Sequence, residues 1–226
     1  MNINNNINNI RQNLPPGCRL IAVSKTQPVK KIMEAYRAGQ RLFGENKVQE
    51  LVPKYESLPK DIEWHMIGHL QTNKVRNIAS FVHCIQSVDS LKLLAEINKQ
   101  AQKAGRTIAC LLQVFIASEE TKFGFSEEEI FELIQSGAIA NLKNISVNGL
   151  MGMATFTEDE NQIRAEFRKL KRFFDRLASM ELTANMNMKE LSIGMSGDYR
   201  IAAEEGSTLV RVGTAIFGSR PTQIKS

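Results

Sequence analysis

The amino-acid sequence predicts an α/β protein, a single (β/α)8 barrel of the TIM type, and three observations predict it. Short apolar runs alternate with amphipathic helical stretches along the whole chain of 226 residues. Eight such runs occur, and most are apolar at successive positions, as in strands covered on both faces. Eight units in about 200 residues suit a closed barrel at the compact end of its range. A doubly wound open sheet is the competing fold. It often shows a glycine-rich fingerprint after its first strand, where this chain reads "SKTQP".

Each element has its own signal. "RLIAVS" (19–24) is strand one, and Val29, Ile32, Met33 and Tyr36 follow at helical spacing, with Pro28 in the first turn and Gly39 as terminator. "RLF" (41–43) is strand two. Val48, Leu51, Val52 and Tyr55 again have helical spacing, and Pro53 predicts a kink or an early end. Strand three is 62–68, with a short helix over 72–80; strand four is 81–87, with a helix from Ser90 to Ala104 closed by Gly105. Strand five is 107–115, and Ser126 with Glu129 has the spacing of a capping box ahead of Ile130, Leu133 and Ile134. Strand six is 144–151, before a long helix marked by Ile163, Phe167, Leu170, Phe174 and Leu177. Strand seven is 189–194, then a short helix over 198–205, and strand eight is 208–213. Residues 1–10, rich in asparagine, read as a frayed segment or a weak leading helix. No second domain or long linker shows, so residues 1–226 form one domain.

Composition narrows the class. No apolar stretch approaches the roughly 20 residues that span a bilayer, and the N-terminus lacks the basic start and apolar core of a secretion signal. Cys18, Cys84 and Cys110 are odd in number and have no metal or redox spacing, which reads as reduced thiols in a cytoplasmic protein. The net charge of +5 is spread over helix faces, and its densest group, "RKLKR" at 168–172, sits inside an amphipathic pattern. That argues for solvated surface rather than nucleic acid, and it equally suits a small anionic ligand.

In such a barrel the strand C-termini converge on one mouth, which holds the active site. Lys25 ends strand one, Asn46 follows strand two, Ser196 and Gly197 follow strand seven, and Gly213 and Thr214 end strand eight. Hydroxyls and bare backbone N–H groups after strands seven and eight are where barrels frequently hold phosphate; capping without a ligand is the plainer reading. Arg211, in "LVRVG", points into the barrel if Val210 and Val212 face the helices, toward either a ligand or an internal ion pair. Lys25 could be a solvated charge, a phosphate counter-charge or a Schiff-base amine. His65 and His69 stand four apart, but His65 lies in a strand pattern and no glutamate follows it, so no metal site is expected.

The blocks "AVSKT", "LFGENKVQE", "WHMIGHLQTNK", "LSIGMSGD" and "GSTLVRVGTAIFGSR", in order from about Leu20 to Arg220, resemble the pyridoxal phosphate homeostasis protein family. Ile193, where the family often has methionine, and Pro53 are mild departures that touch no expected ligand contact. The resemblance implies a barrel similar to the alanine racemase N-terminal domain (fold-type III), holding pyridoxal 5′-phosphate as an internal aldimine on Lys25. It further implies that Ser196, Gly213 and Thr214 hold the phosphate, that Arg211 meets the pyridine nitrogen, and that Asn46 lines the site beside "HMIGHLQ" and "GLMGMA". The racemase's second acid/base is a tyrosine from an added domain, which is not expected here; Tyr199 is the one tyrosine with a chance of reaching the site. The expectation is therefore a non-catalytic, monomeric, cytoplasmic protein of vitamin B6 homeostasis and amino-acid and keto-acid balance. Its partners would be pyridoxal phosphate and either apo-enzymes that use it or a regulatory protein, with no nucleic acid, membrane or metal. The alternatives are a fold-type III amino-acid racemase and a sugar-phosphate barrel enzyme with Lys25 as a plain counter-charge.

Overall fold

In the computed structural model, residues 2–117 and 124–218 are described, and they form a closed eight-stranded parallel barrel in the order β1 to β8. The strands are β1 (Arg19–Val23), β2 (Leu42–Glu45), β3 (Glu63–Met66), β4 (Cys84–Val88), β5 (Ile108–Phe115), β6 (Ile145–Met153), β7 (Met186–Ser192) and β8 (Leu209–Val212). Helices α1 (Ile3–Gln12), α2 (Val29–Arg37), α3 (Val48–Ser57), α4 (Leu91–Lys103), α5 (Glu127–Gln135), α6 (Glu160–Ala178), α7 (Tyr199–Glu204) and α8 (Thr214–Phe217) accompany them. Ser219 and Arg220, the end of the last family block, lie outside the described residues.

Side chains divide by strand parity. Leu20, Ala22, Val210 and Val212 join the large core between strands and helices, whereas Ile21, Cys84, Leu111, Met151 and Leu209 fill the barrel interior. Ile21 lies opposite Arg211 in register, so Arg211 faces inward as its neighbours' burial requires. β5 and β6 pair along the whole of β5, but β7 meets β8 in register at Ser192 opposite Leu209.

Several boundaries differ from expectation, each for a physical reason. The leading segment is a helix, not a frayed end: Asn2 caps it and Ile3, Ile7 and Ile10 are buried at i, i+4, i+7. α3 runs through Pro53 to Ser57, because the buried Val48, Leu51 and Lys54 anchor it and the carbonyl that loses its partner belongs to exposed Gln49. The expected helix at 72–80 is a 3₁₀ turn over Thr72–Asn77, whose larger rise per residue spans a short crossover. β2 extends to Glu45, whose charge is turned outward onto α3. β7 begins at Met186, since Met186 and Met188 are buried while Asn187 and Lys189 are exposed, the alternation of a half-covered strand. Ser126 and Glu129 form the capping box expected of them.

Candidate functional site

The strand C-termini bring Lys25, Asn46, Ser196, Arg211, Gly213 and Thr214 to one mouth of the barrel. Lys25 follows β1 and is half-buried. Its backbone is fastened on both sides. The Ser24 N–H donates to the Gly44 carbonyl at 3.0 Å, and the Ser24 hydroxyl to Glu45 Oε1 at 2.6 Å. Behind them Lys54 Nζ donates to the Ser24 carbonyl at 2.8 Å and to Glu45 Oε1 at 2.7 Å. On the other side Thr26 has φ +63°, rare for a β-branched residue, and its N–H donates to Glu50 Oε2 at 2.6 Å. Such backbone strain, of order 1–3 kcal/mol, persists where the surroundings over-determine it, and it clusters at functional sites. Burial pushes the Glu45 carboxyl above its usual range, against the pull of Lys54 and Ser24.

Asn46 follows β2, and Gly68 after β3 packs directly onto it: a Cβ at Gly68 would lie 2.5 Å from the Asn46 carbonyl oxygen. The loops after β7 and β8 are joined, because the Gly213 N–H donates to Ser196 Oγ at 3.1 Å. Gly213 also abuts β1, where a Cβ would meet the Val23 carbonyl oxygen at 3.1 Å. Val23 is two residues before Lys25, so the glycine abuts the strand that Lys25 follows. Thr214 opens α8 with its side chain exposed. From outside, Asn6 donates to the Ile216 carbonyl at 2.9 Å and Lys31 to the Phe217 carbonyl at 3.1 Å, fixing α8. α7 and α8 are six and four residues long. The capacity of this mouth for an anion therefore lies in local N–H and hydroxyl groups more than in helix dipoles.

Arg211 lies beneath the cup and is buried. Nη1 donates to the Ser192 carbonyl at 2.7 Å and to Ser192 Oγ at 2.6 Å, and Nη2 donates to the Gly152 carbonyl at 2.9 Å. These three bonds use three of the five donors of a guanidinium. The internal carboxylate pair that strand burial suggested is not what holds it; Asp198 acts at longer range. Burial lowers the Arg211 pKa to about 10, still far above neutrality, so the charge stays. Burial likewise raises the Asp198 carboxyl, opposed by its bond from the Met195 N–H and by Arg211. From Ser192 a polar chain crosses the interior: its hydroxyl donates to Gln86 Oε1 at 2.7 Å, and Gln86 Nε2 lies 2.9 Å from His65 Nδ1. Burial depresses the His65 pKa to about 3, so the ring is neutral.

Sequence patterns did not single out Glu45, Glu50, Lys54, Ser192 or Gln86, whereas Gly68 and Gly152 lie in the blocks that the resemblance sets beside the ring. "GEN" was an available pointer, since a glutamate directly after an apolar strand needs a buried partner. Tyr36 bonds Asp61 and Tyr55 stacks on Phe81, while Tyr199 is buried at the start of α7, its hydroxyl accepting from Arg200 Nε at 3.4 Å. Shallow depressions of about 530 Å³ beside Ile3 and Arg37 and about 310 Å³ beside Glu127 and Arg172 lie on helix faces away from the strand ends.

Comparison with known proteins agrees with this architecture. Residues 1–221 match the family model described as "Alanine racemase, N-terminal domain". The pyridoxal phosphate homeostasis protein of Aquifex aeolicus is 41% identical over 203 residues, covering 89% of this chain and 87% of that one. PipY of Synechococcus elongatus, solved with pyridoxal phosphate bound, is 35% identical with a TM-score of 0.85, covering 96% of this chain and all of the other. An alanine racemase of Clostridium difficile shares the fold at 16% identity and a TM-score of 0.74, this chain spanning 57% of its length.

Proposed function

This chain belongs to the pyridoxal phosphate homeostasis proteins, within the alanine racemase N-terminal-domain family, and from that premise we propose that it binds pyridoxal 5′-phosphate and holds it without turning it over. The observation that carries the reading is the joining of three chemistries at one mouth. A half-buried lysine on a fastened loop stands beside a glycine–hydroxyl cup, and both sit above a buried arginine with donors to spare.

The residues fit the cofactor group by group. Gly213, lacking a side chain where it meets Val23, leaves room for a phosphate close to the backbone, and the Ser196 and Thr214 hydroxyls would donate to it. Lys25 would hold the cofactor by its aldehyde group, its backbone fixed by the Ser24 and Thr26 bonds on either side. Arg211 would face the ring nitrogen, and Asn46, against which Gly68 packs, would line the ring. When bound, the cofactor supplies an electron sink for carbon acids. A ring nitrogen facing a permanent cation stays unprotonated, which makes that sink weak. With Tyr36 and Tyr55 engaged elsewhere, the arrangement suits a holder or donor of cofactor more than a racemase.

The setting we infer is one cytoplasmic, monomeric domain that serves vitamin B6 balance, with apo-enzymes or a regulatory protein as partners and no role on nucleic acid or membranes. No helix among the described residues is long and apolar enough to cross a membrane. The test is direct. The purified protein mixed with pyridoxal phosphate should turn yellow, and borohydride reduction followed by peptide mass analysis should place one pyridoxyl group on Lys25. A colourless protein with no labelled peptide ends the reading. Sustained interconversion of single-enantiomer amino acids, lost in Lys25→Ala, would replace holding with racemisation.

A further inference from the structure

At the opposite end of the barrel, we propose that Glu63, His65 and His83 form a binding site for one zinc(II) ion. Their ligand atoms, one from each side chain, all lie within 4.8 Å of one another. The fold makes this set in a way that spacing along the chain does not reveal. β3 and β4 are neighbours with His65 opposite Cys84, which brings the residue before β4, His83, beside the start of β3. The His65 and His83 rings stand 5.4 Å apart, and His83 Nε2 is 3.5 Å from Glu63 Oε2.

The independent observation is the deeper ring. His65 is 4% exposed, and its Nε2 has no hydrogen-bond partner. Its Nδ1 faces Gln86 inside the barrel, so Nε2 is the atom left for the opening where Glu63 and His83 stand. A buried ring nitrogen without a partner is costly, and a metal ion removes that cost. Ligation at Nε2 places the proton on Nδ1 and turns the Gln86 amide so that its oxygen accepts it. Ser192 Oγ then accepts from the amide nitrogen, which gives the outer-shell bond that metal-bound histidines usually make. The nearby cation, Arg19, is engaged by Glu190.

The donor set names the ion. Two imidazoles and one carboxylate are the ligands of open zinc sites, in which a water completes a tetrahedron. Oxygen-seeking ions such as magnesium and calcium want more carboxylates and carbonyls than this set offers. Ligands around a tetrahedral zinc with bonds near 2.0–2.1 Å lie roughly 3.4 Å apart, so the set must draw in by about an ångström. Glu63 and His83, with side chains 40% and 50% exposed, are free to make that movement.

The experiment uses the untagged full chain, stripped with chelator and titrated with zinc(II) by calorimetry and with cobalt(II) by visible absorption. The chain has three histidines, so each ligand can be assigned. The expected result is one equivalent bound, with the strong visible bands of four-coordinate cobalt. Affinity should fall at least about tenfold in His83→Ala and in Glu63→Gln and stay unchanged in His69→Ala. His83→Ala and Glu63→Gln alter exposed side chains, so a folding failure of a His65 variant does not decide the matter. Weak or multiple binding, or binding that survives both exposed variants, overturns the site. Pyridoxal phosphate uptake, which belongs to the other mouth, should be the same in His83→Ala and Glu63→Gln, so this result stands or falls apart from the cofactor reading.

Discussion

Ser196 Oγ accepts a hydrogen bond from the Gly213 N–H at 3.1 Å, joining the loop after β7 to the end of β8. Ser196→Ala removes the hydroxyl from the proposed phosphate cup. A hydrogen bond to a charged group contributes roughly 1.5–3 kcal/mol, so pyridoxal phosphate should bind about 10- to 150-fold more weakly. Absorbance titration measures this, and an unchanged Kd would remove Ser196 from the cup.

Lys25→Ala leaves Ser196, Gly213, Thr214 and Arg211 in place. The variant should fold, by circular dichroism, and still bind the cofactor weakly, without the visible absorbance of a lysine-bound form or any borohydride-fixed label. Retention of the label on another lysine would show that Lys25 is not the attachment point.

The bond of Lys54 to Glu45 sits behind the Lys25 loop with both side chains nearly buried. Lys54→Met leaves a buried carboxylate uncompensated and should cost about 3–5 kcal/mol, whereas adding Glu45→Leu should recover much of it. The pH dependence follows from the raised Glu45 carboxyl. The folded state keeps its proton more readily than the unfolded chain, so Glu45 erodes stability as pH rises through 4.5 toward its folded pKa. Without Lys54 that pKa rises further, so the loss in Lys54→Met should be smaller at acid pH. Urea unfolding at several pH values tests the sign, and a loss that grows on acidification contradicts it.

Gly68→Ala forces a Cβ against the Asn46 carbonyl, an approach of 2.5 Å onto backbone that only a shift can relieve. Asn46 should move and cofactor affinity should fall. Wild-type affinity in this variant would mean that Asn46 does not line the ring.

Arg211→Ala strips donors from the Ser192 and Gly152 carbonyls and from Ser192 Oγ. Each buried acceptor left unpaired costs about 1–3 kcal/mol, so the apo-protein should unfold several degrees lower. In the loaded protein the visible spectrum and its pH response should also shift. A spectral titration identical to wild type would place the ring nitrogen away from Arg211.

Strand parity made the inward face of Arg211 readable, because Val210 and Val212 are apolar on either side of it. The choice of Lys25, Ser196 and Gly213 as candidates rests on a different rule, that barrel strands all end at one mouth. The clamp behind Lys25 was not. Glu45 and Lys54 look like solvated charges until β2 and α3 are laid against each other. The alternation in the first half of β7 conceals where that strand begins, and the asparagines of α1 mask three isoleucines at helical spacing. Pairs such as His65 and His83 depend on strand adjacency, which no local pattern encodes.

Arg211 has one more consequence. Its guanidinium spans β8, β7 and β6 where β7 and β8 share the briefest register, so one side chain both fastens the seam of the barrel and faces the proposed cargo. Seam closure and occupancy are then linked reciprocally. Cofactor binding should slow amide exchange along Leu191–Ser192 and Leu209–Val212, and whatever strains that seam should speed cofactor departure. A holder built this way would let go by breathing at one edge.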